Sequence, residues 1–204
     1  MCILHCKLVT IGHKQFALTS RSDVPRVIDS DPEFTKVLRY LRPSDYLSWG
    51  ISTAVFPGLF TVFEHLDPVN GKQFTRPSGS LLRVGTLFGF VGGFFIVYNK
   101  SSKRFFGVEE NAREVAKDRY EVKKNLSKGL HPFGSAPRLS PWLQEMSMRN
   151  SKNSQFGNFF LPWFSFFRHD YHNIDLKRYY EIREGEDKWG IELPPYDTLE
   201  KKVY

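Results

Sequence analysis

The sequence reads as a mainly α-helical membrane protein: a two-helix transmembrane hairpin with a short N-terminal helix, a charged helix after the hairpin and an extended, loop-rich C-terminal region. Three observations carry this reading. Residues 46–63 and 84–98 contain no Asp, Glu, Lys or Arg, and a hydrocarbon core about 30 Å thick is crossed by a helix of about 20 mostly apolar residues. The connection between them packs Asp67-Pro68, Asn70-Gly71 and Pro77-Ser78-Gly79 into one short stretch, three turn signals that force the two segments back on each other. The rest of the chain is dense in charge, which is why the mean hydropathy of −0.39 conceals the two apolar segments.

Residues 1–27 read as a leader. The first acidic residue is Asp23, and Lys7, Lys14 and Arg21 alternate with Leu4, Leu8, Ile11 and Leu18 roughly on one helical face, which resembles an import presequence. An unstructured leader is the alternative. Cys2 and Cys6, the two cysteines of the chain, are too few for a disulfide framework, and no second ligand pair follows them at zinc-finger spacing.

Residues 28–45 are expected to form an N-terminal amphipathic helix, with Asp31 as its cap, Pro32 in the first turn and Glu33 near the positive end of the dipole. Phe34, Val37, Leu38 and Leu41 make its apolar stripe. Pro43 should end or bend it, leaving Ser44 or Asp45 to cap the next helix.

The hairpin covers residues 46–98, with spans at about 46–65 and 81–98. The uncharged part of the first span is about 27 Å of helix at roughly 1.5 Å per residue. Pro57 frees the carbonyl of Thr53, a vacancy that Ser52, Thr53, Thr61 or a neighbouring helix can fill. The second span reaches bilayer length when Leu81 and Leu82 join it and Arg83 snorkels to the interface. Gly85, Gly89 and Gly93 form a tandem Gly-x-x-x-Gly face that lets another helix approach closely. Both the first span and a helix of another protein fit as its partner.

Residues 99–204 form the hydrophilic C-terminal region. Glu109, Glu110, Arg113, Glu114, Lys117 and Asp118 alternate in sign at helical spacing, as a solvated helix does. Residues 129–141 hold three prolines and two glycines and read as a linker. The aromatic element at about 156–167 is too short to span and reads as interfacial or partner-facing through Phe159, Phe160, Trp163, Phe164 and Phe167. Beyond Asp175 little is apolar enough for a core, so the end of the chain should drape over something larger.

A net charge of +7 calls for an anionic partner, and the apolar pair selects lipid over nucleic acid. Arg39 and Arg42 before the hairpin and Lys100, Lys103 and Arg104 after it are placed to meet anionic headgroups, cardiolipin included. Chemistry finds little support. His169, His172 and Asp175 lie close in sequence but lack the further ligands a metal needs. Glu64 and His65 fall at a span boundary, where ordinary interface residues sit. No phosphate-cradling glycine loop or nucleophile motif occurs, so no catalytic residue, cofactor, metal or small-molecule substrate is assigned.

Two blocks carry a resemblance. The first is DPEFTKVLRYLRPSDY at 31–46, leading into the hairpin; the second runs from LSPW at 139–142 through MRNS at 148–151 and LPWF at 161–164 to DLKRYY at 175–180. In this order, over roughly residues 28–184, they resemble the fungal 21-kDa accessory subunit family of mitochondrial NADH:ubiquinone oxidoreductase, respiratory complex I. The resemblance implies a non-catalytic subunit of the inner-membrane arm that serves assembly or stability, beside other membrane-arm subunits and without cofactor. A lipid-binding or lipid-organising hairpin protein of the same membrane is the competing reading. The flanks of the hairpin hold more Lys and Arg than its loop, with Lys72, Arg76 and Arg83, so both termini are expected on the matrix side.

Overall fold

The computed structural model describes residues 26–68, 78–134, 139–151, 164–169 and 175–197, together with the backbone of 7–11 and 14–18. Within the leader, strands β1 (Lys7–Ile11) and β2 (Lys14–Leu18) pair antiparallel, Val9 opposite Phe16. The amphipathic helical face read from these residues is therefore not formed there.

The N-terminal helix is shorter than residues 28–45. Helix α1 spans Phe34–Arg39 and is preceded by Glu33, whereas Asp31 is drawn away into a buried contact. The break follows from Pro43. A residue before proline disfavours the α region; Arg42 is accordingly extended, at ψ 155°. The helix restarts with Pro43 in its first turn, where a missing N–H is harmless. Asp45 then caps the new helix by accepting from the Arg42 backbone N–H at 2.8 Å.

Helices α2 (Pro43–Leu66) and α3 (Gly79–Phe105) are both long and apolar enough to cross a membrane. They pack antiparallel along the glycine face. A Cβ on Gly85 would meet Pro57 at 2.8 Å, one on Gly89 the Ser52 carbonyl oxygen at 2.7 Å, and one on Gly93 the Ser52 and Trp49 side chains at 2.9 Å. Of the two partners left open for this face, α2 occupies it. Gly92, with nothing within 4 Å, faces away. Trp49 ties the helices by donating Nε1–H to the Phe90 carbonyl at 2.8 Å. Thr53 and Thr61 donate to the Trp49 and Pro57 carbonyls, so the freed Thr53 carbonyl lies instead against Gly89, whose Cβ would come within 3.0 Å of it.

α3 runs past residue 98 through the first charged turn to Phe105, and Gly107, at φ 69°, permits the turn into α4 (Ala112–Ser127). α4 is not simply solvated: Glu114, Asp118, Arg119, Val122, Lys123 and Leu126 are buried. Helix α5 (Pro141–Ser151), the short α6 (Lys177–Tyr180) and a 3₁₀ turn (Glu186–Trp189) come next. Two apolar cores result. Ile28, Val37, Tyr40, Tyr98 and Phe105 form one at the open end of the hairpin. Val122, Leu126 and Tyr179 form the other, with Leu176, Tyr180 and Leu193 against it. The C-terminal stretch thus has a core of its own, because two tyrosines and two leucines spaced along it converge on α4.

Candidate functional site

Where α2 begins and α3 ends, the chain closes its hairpin with charge. The Arg104 guanidinium grips Asp45 with two bonds, Nη1 to Oδ2 and Nη2 to Oδ1, each 2.7 Å. Both side chains are inaccessible, at 2% and 0% relative exposure. A bidentate fork of this kind satisfies both carboxylate oxygens at once. Arg42 extends the arrangement outward, with Nε to Glu114 Oε1 at 2.7 Å and Nη1 to Glu110 Oε2 at 3.1 Å. Asn111 completes it by donating to the Arg26 and Arg104 carbonyls at 2.6 Å each.

A second set of contacts clasps the N-terminal segment with the C-terminal one. Lys36 lies 3.0 Å from Asp118 and 3.7 Å from Asp29. Burial pulls its ammonium toward neutrality, but the two carboxylates outweigh this and leave its pKa raised. The Tyr179 hydroxyl donates to Asp118 at 2.8 Å, and burial followed by that carboxylate pushes its pKa well up. Arg178 donates to the carbonyls of Val27 and Ile28 at 3.1 and 2.9 Å. Below this, Glu186 receives Arg119 and, at 2.6 Å, Lys123. Burial alone would raise the Glu186 pKa; the hydrogen bonds from the two cations hold it below the ordinary carboxylate value.

The third contact involves the residue types of a hydrolase. His169 Nε2 and Ser151 Oγ both reach Asp31 Oδ2, the former at 2.7 Å. In a nucleophilic triad the imidazole stands between serine and acid so that it can take the hydroxyl proton. Here the acid stands between, so the serine is bound by a carboxylate that also orders the histidine. Ser151, His169 and Asp31 are all buried, at 7%, 1% and 1% relative exposure. This is a structural tie. Glu33 adds to it through Arg168 at 2.7 Å, and the Phe34 N–H donates to Ser165 O at 2.8 Å.

Outside these ties the hairpin is bare. Leu47, Ile51, Val55, Leu59 and Val62 form an outward stripe on α2, with Val84, Leu87 and Val91 outward on α3. Their spacing of three or four residues is that of one helical face.

The comparisons with known proteins respect the same division of the chain. Residues 26–110 match the family described as NADH-ubiquinone oxidoreductase complex I, 21 kDa subunit, and residues 119–204 match the C-terminal family of NADH-ubiquinone oxidoreductase 21 kDa subunit. The chain belongs to the complex I 21 kDa subunit family. It is also 37% identical over 160 residues to the NADH-ubiquinone oxidoreductase 20.9 kDa subunit of Neurospora crassa, a match that covers 78% of this chain and 83% of that one. Within this complex I subunit the clasp joins the two family regions: Asp31 to His169, Ile28 to Arg178.

The residues singled out from sequence fare differently. Arg104 does not face headgroups, because Asp45 holds it in the interior; Arg42 is largely taken up by Glu114 and Glu110. Arg39 remains on the surface beside Glu121 at 3.4 Å, and Lys100 is half-exposed, 4.0 Å from Asp45. Lys103 is partly buried. Phe164 is half-buried and packs in a ring cluster with Phe34, Phe94 and Tyr98, its centroid 4.8 Å from that of Tyr98. Phe167 is exposed, as is Phe166 beside it. Phe159, Phe160, Trp163 and His172 lie outside the described residues. Glu64 is half-buried and His65 exposed. Among the described residues no group of three metal-ligating side chains occurs.

Proposed function

We propose that the chain is a non-catalytic accessory subunit of the membrane arm of mitochondrial complex I, inserted in the inner membrane as an antiparallel hairpin. One observation carries the reading: two apolar helices whose outward faces are bare along their length are closed at one end by a buried Asp45–Arg104 pair and a clasp of charged side chains. Exposed leucine, valine and phenylalanine over two full helices suit lipid or the helices of neighbouring subunits, not water. The clasp suits an aqueous compartment. Basic residues at this end, Arg39, Lys100 and Lys103, favour the matrix side and serve as contacts for anionic lipid, cardiolipin among them. Phe167 and the segment at 156–167 supply a further partner or interface contact.

Such a subunit contributes by filling space between neighbours and fixing them, so its side chains are asked for packing rather than proton or electron transfer. Native electrophoresis of mitochondrial membranes in mild detergent, followed by a denaturing second dimension, tests this: the chain is expected in the very large band that carries NADH dehydrogenase activity. A small separate band would support the other reading that the bare helices allow, a lipid-organising hairpin protein.

A further inference from the structure

We infer that the subunit binds one anionic phospholipid in the leaflet remote from the clasp, with the lipid phosphate on Arg83 and an acyl chain along Leu82, Thr86, Leu87 and Phe90. The inference rests on the membrane-spanning reading proposed above. On α3 these residues line a shallow groove, wide open on its outer side and apolar apart from Arg83 and Thr86. They recur at helical spacing and so form one continuous face. The groove runs eight residues along the helix, about 12 Å at roughly 1.5 Å per residue, comparable with the depth of one leaflet, about half of a 30 Å hydrocarbon core. The Trp49 ring, 4.9 Å from that of Phe90, lies beside its inner end.

Depth places Arg83 at the headgroups. Arg104, in the polar clasp, and Arg83 are 21 positions apart on one unbroken helix, a separation of about 31 Å at roughly 1.5 Å per residue, which is the thickness of the core. If the clasp lies at one interface, Arg83 lies at the other. On α2 the run from Asp45 to Glu64 gives nearly the same length. Arg83 itself is exposed, and among the described residues it forms no ion pair. An unpaired guanidinium at the mouth of an apolar groove is complementary to a phosphodiester on a hydrocarbon chain, which its planar fork can meet with two hydrogen bonds. A zwitterionic headgroup brings its own cation to compete, so the anionic class is favoured. The basic residues at the other end of the hairpin contact the opposite leaflet, so this site is separate from theirs.

The test uses the assembled complex. Mitochondrial membranes are supplied with a photoactivatable phosphatidylglycerol carrying its reactive group on the acyl chain, irradiated, and the complex is recovered by native electrophoresis; labelled peptides of this subunit are then mapped. Label concentrated on residues 82–90, falling about tenfold in Arg83→Gln, intermediate in Arg83→Lys, which keeps the charge but loses the fork, and unchanged in Lys100→Gln, is the expected result. Carbonate extraction of the same membranes reports insertion separately. A chain that resists extraction but is labelled evenly along both helices, or equally in Arg83→Gln, overturns the lipid site while leaving the spans standing. Lipid label found on a neighbouring subunit while residues 82–90 stay unlabelled assigns the groove to a protein helix and overturns it too. A chain released by carbonate overturns the spans and the site together.

Discussion

Replacing Gly89 by alanine puts the hairpin packing to a direct test. A Cβ at this position stands 2.7 Å from the Ser52 carbonyl oxygen and 2.9 Å from Thr53 Cα, both backbone atoms of α2 that no rotamer change can move. Carbon atoms in contact sit at about 3.5–4.0 Å, so the helices must part by about 1 Å at this level, and a gap of that size forfeits roughly a quarter to a half of the dispersion attraction between facing atoms. Overpacking of this kind costs about 1–3 kcal/mol. Gly92 supplies the control. It is three positions away on the same helix with nothing within 4 Å of its Cβ direction. Both substitutions gain the same helix propensity, about 1 kcal/mol, so the difference between them isolates the clash. Gly89→Ala should therefore leave about 5- to 150-fold less of the closely packed hairpin than Gly92→Ala. The assay is the amount of the subunit in the complex I band on native gels, followed over time after translation arrest. Gly89→Leu should do worse still. Equal incorporation and equal lifetimes for Gly89→Ala and Gly92→Ala would refute the packing argument.

Other expectations concern the charged contacts. Asp45→Asn or Arg104→Met alone strands a buried charge and should destabilise by about 3–5 kcal/mol, whereas Asp45→Leu with Arg104→Met should recover much of the loss; thermal unfolding of these variants in detergent checks the coupling, and additive losses would count against the pair. Glu186 has its folded pKa depressed below the ordinary 4.5 by Arg119 and Lys123. Its contribution is therefore present above that value and fades as pH falls through the lower, folded one, so Glu186→Gln should flatten the acid limb of the stability curve. A limb of unchanged slope would remove Glu186 from that role. His169→Ala should leave Asp31 short of a buried partner and loosen residues 164–169 enough for limited proteolysis there, while insertion in the membrane, checked by carbonate extraction, stays intact. Ending the chain after Asn153 should likewise leave an inserted protein that scarcely enters the complex, since Tyr179, Leu176 and Leu193 of the second core are lost with it.

Whatever is local could be read in the sequence. Absence of charge over 46–63 and 84–98 located the two long helices, and glycines at every fourth position marked the face that α2 now occupies. Pro43 likewise signalled a break, although not that Arg42 would be extended and the first helix reduced to six residues. Pairing across long separations was not legible. Arg104 reads as an interfacial cation because it comes after an apolar run, and only the return of α3 to the start of α2 sets it against Asp45, 59 positions back. Asp31 has the sequence context of a helix cap, yet its carboxylate is claimed by residues 120 and 138 positions away. The alternating charges of α4 look like a solvated surface for the same reason. Glu114 suits Lys117 at helical spacing, but Arg42 reaches it from another element. Phe164 belongs to a segment rich enough in rings to look partner-facing, and its place in the cluster depends on Phe34 and Phe94 arriving from two other helices.

The reach of the clasp has a bearing on how the chain matures. Arg178 binds carbonyls 150 and 151 residues upstream, while the α2–α3 contacts are made between neighbours in the chain. Contacts between nearby elements close quickly and distant ones wait for long loops to be ordered. The hairpin can thus pack while Asp31 is still hydrated, and its carboxylate gains its buried partners only when Ser151 and His169 arrive. Folding is thereby divided into an early step and a late one, and a chain cut short before Ser151 keeps the Asp31 carboxylate without these partners. Closure of the two ends is, in effect, a completeness check written into the fold.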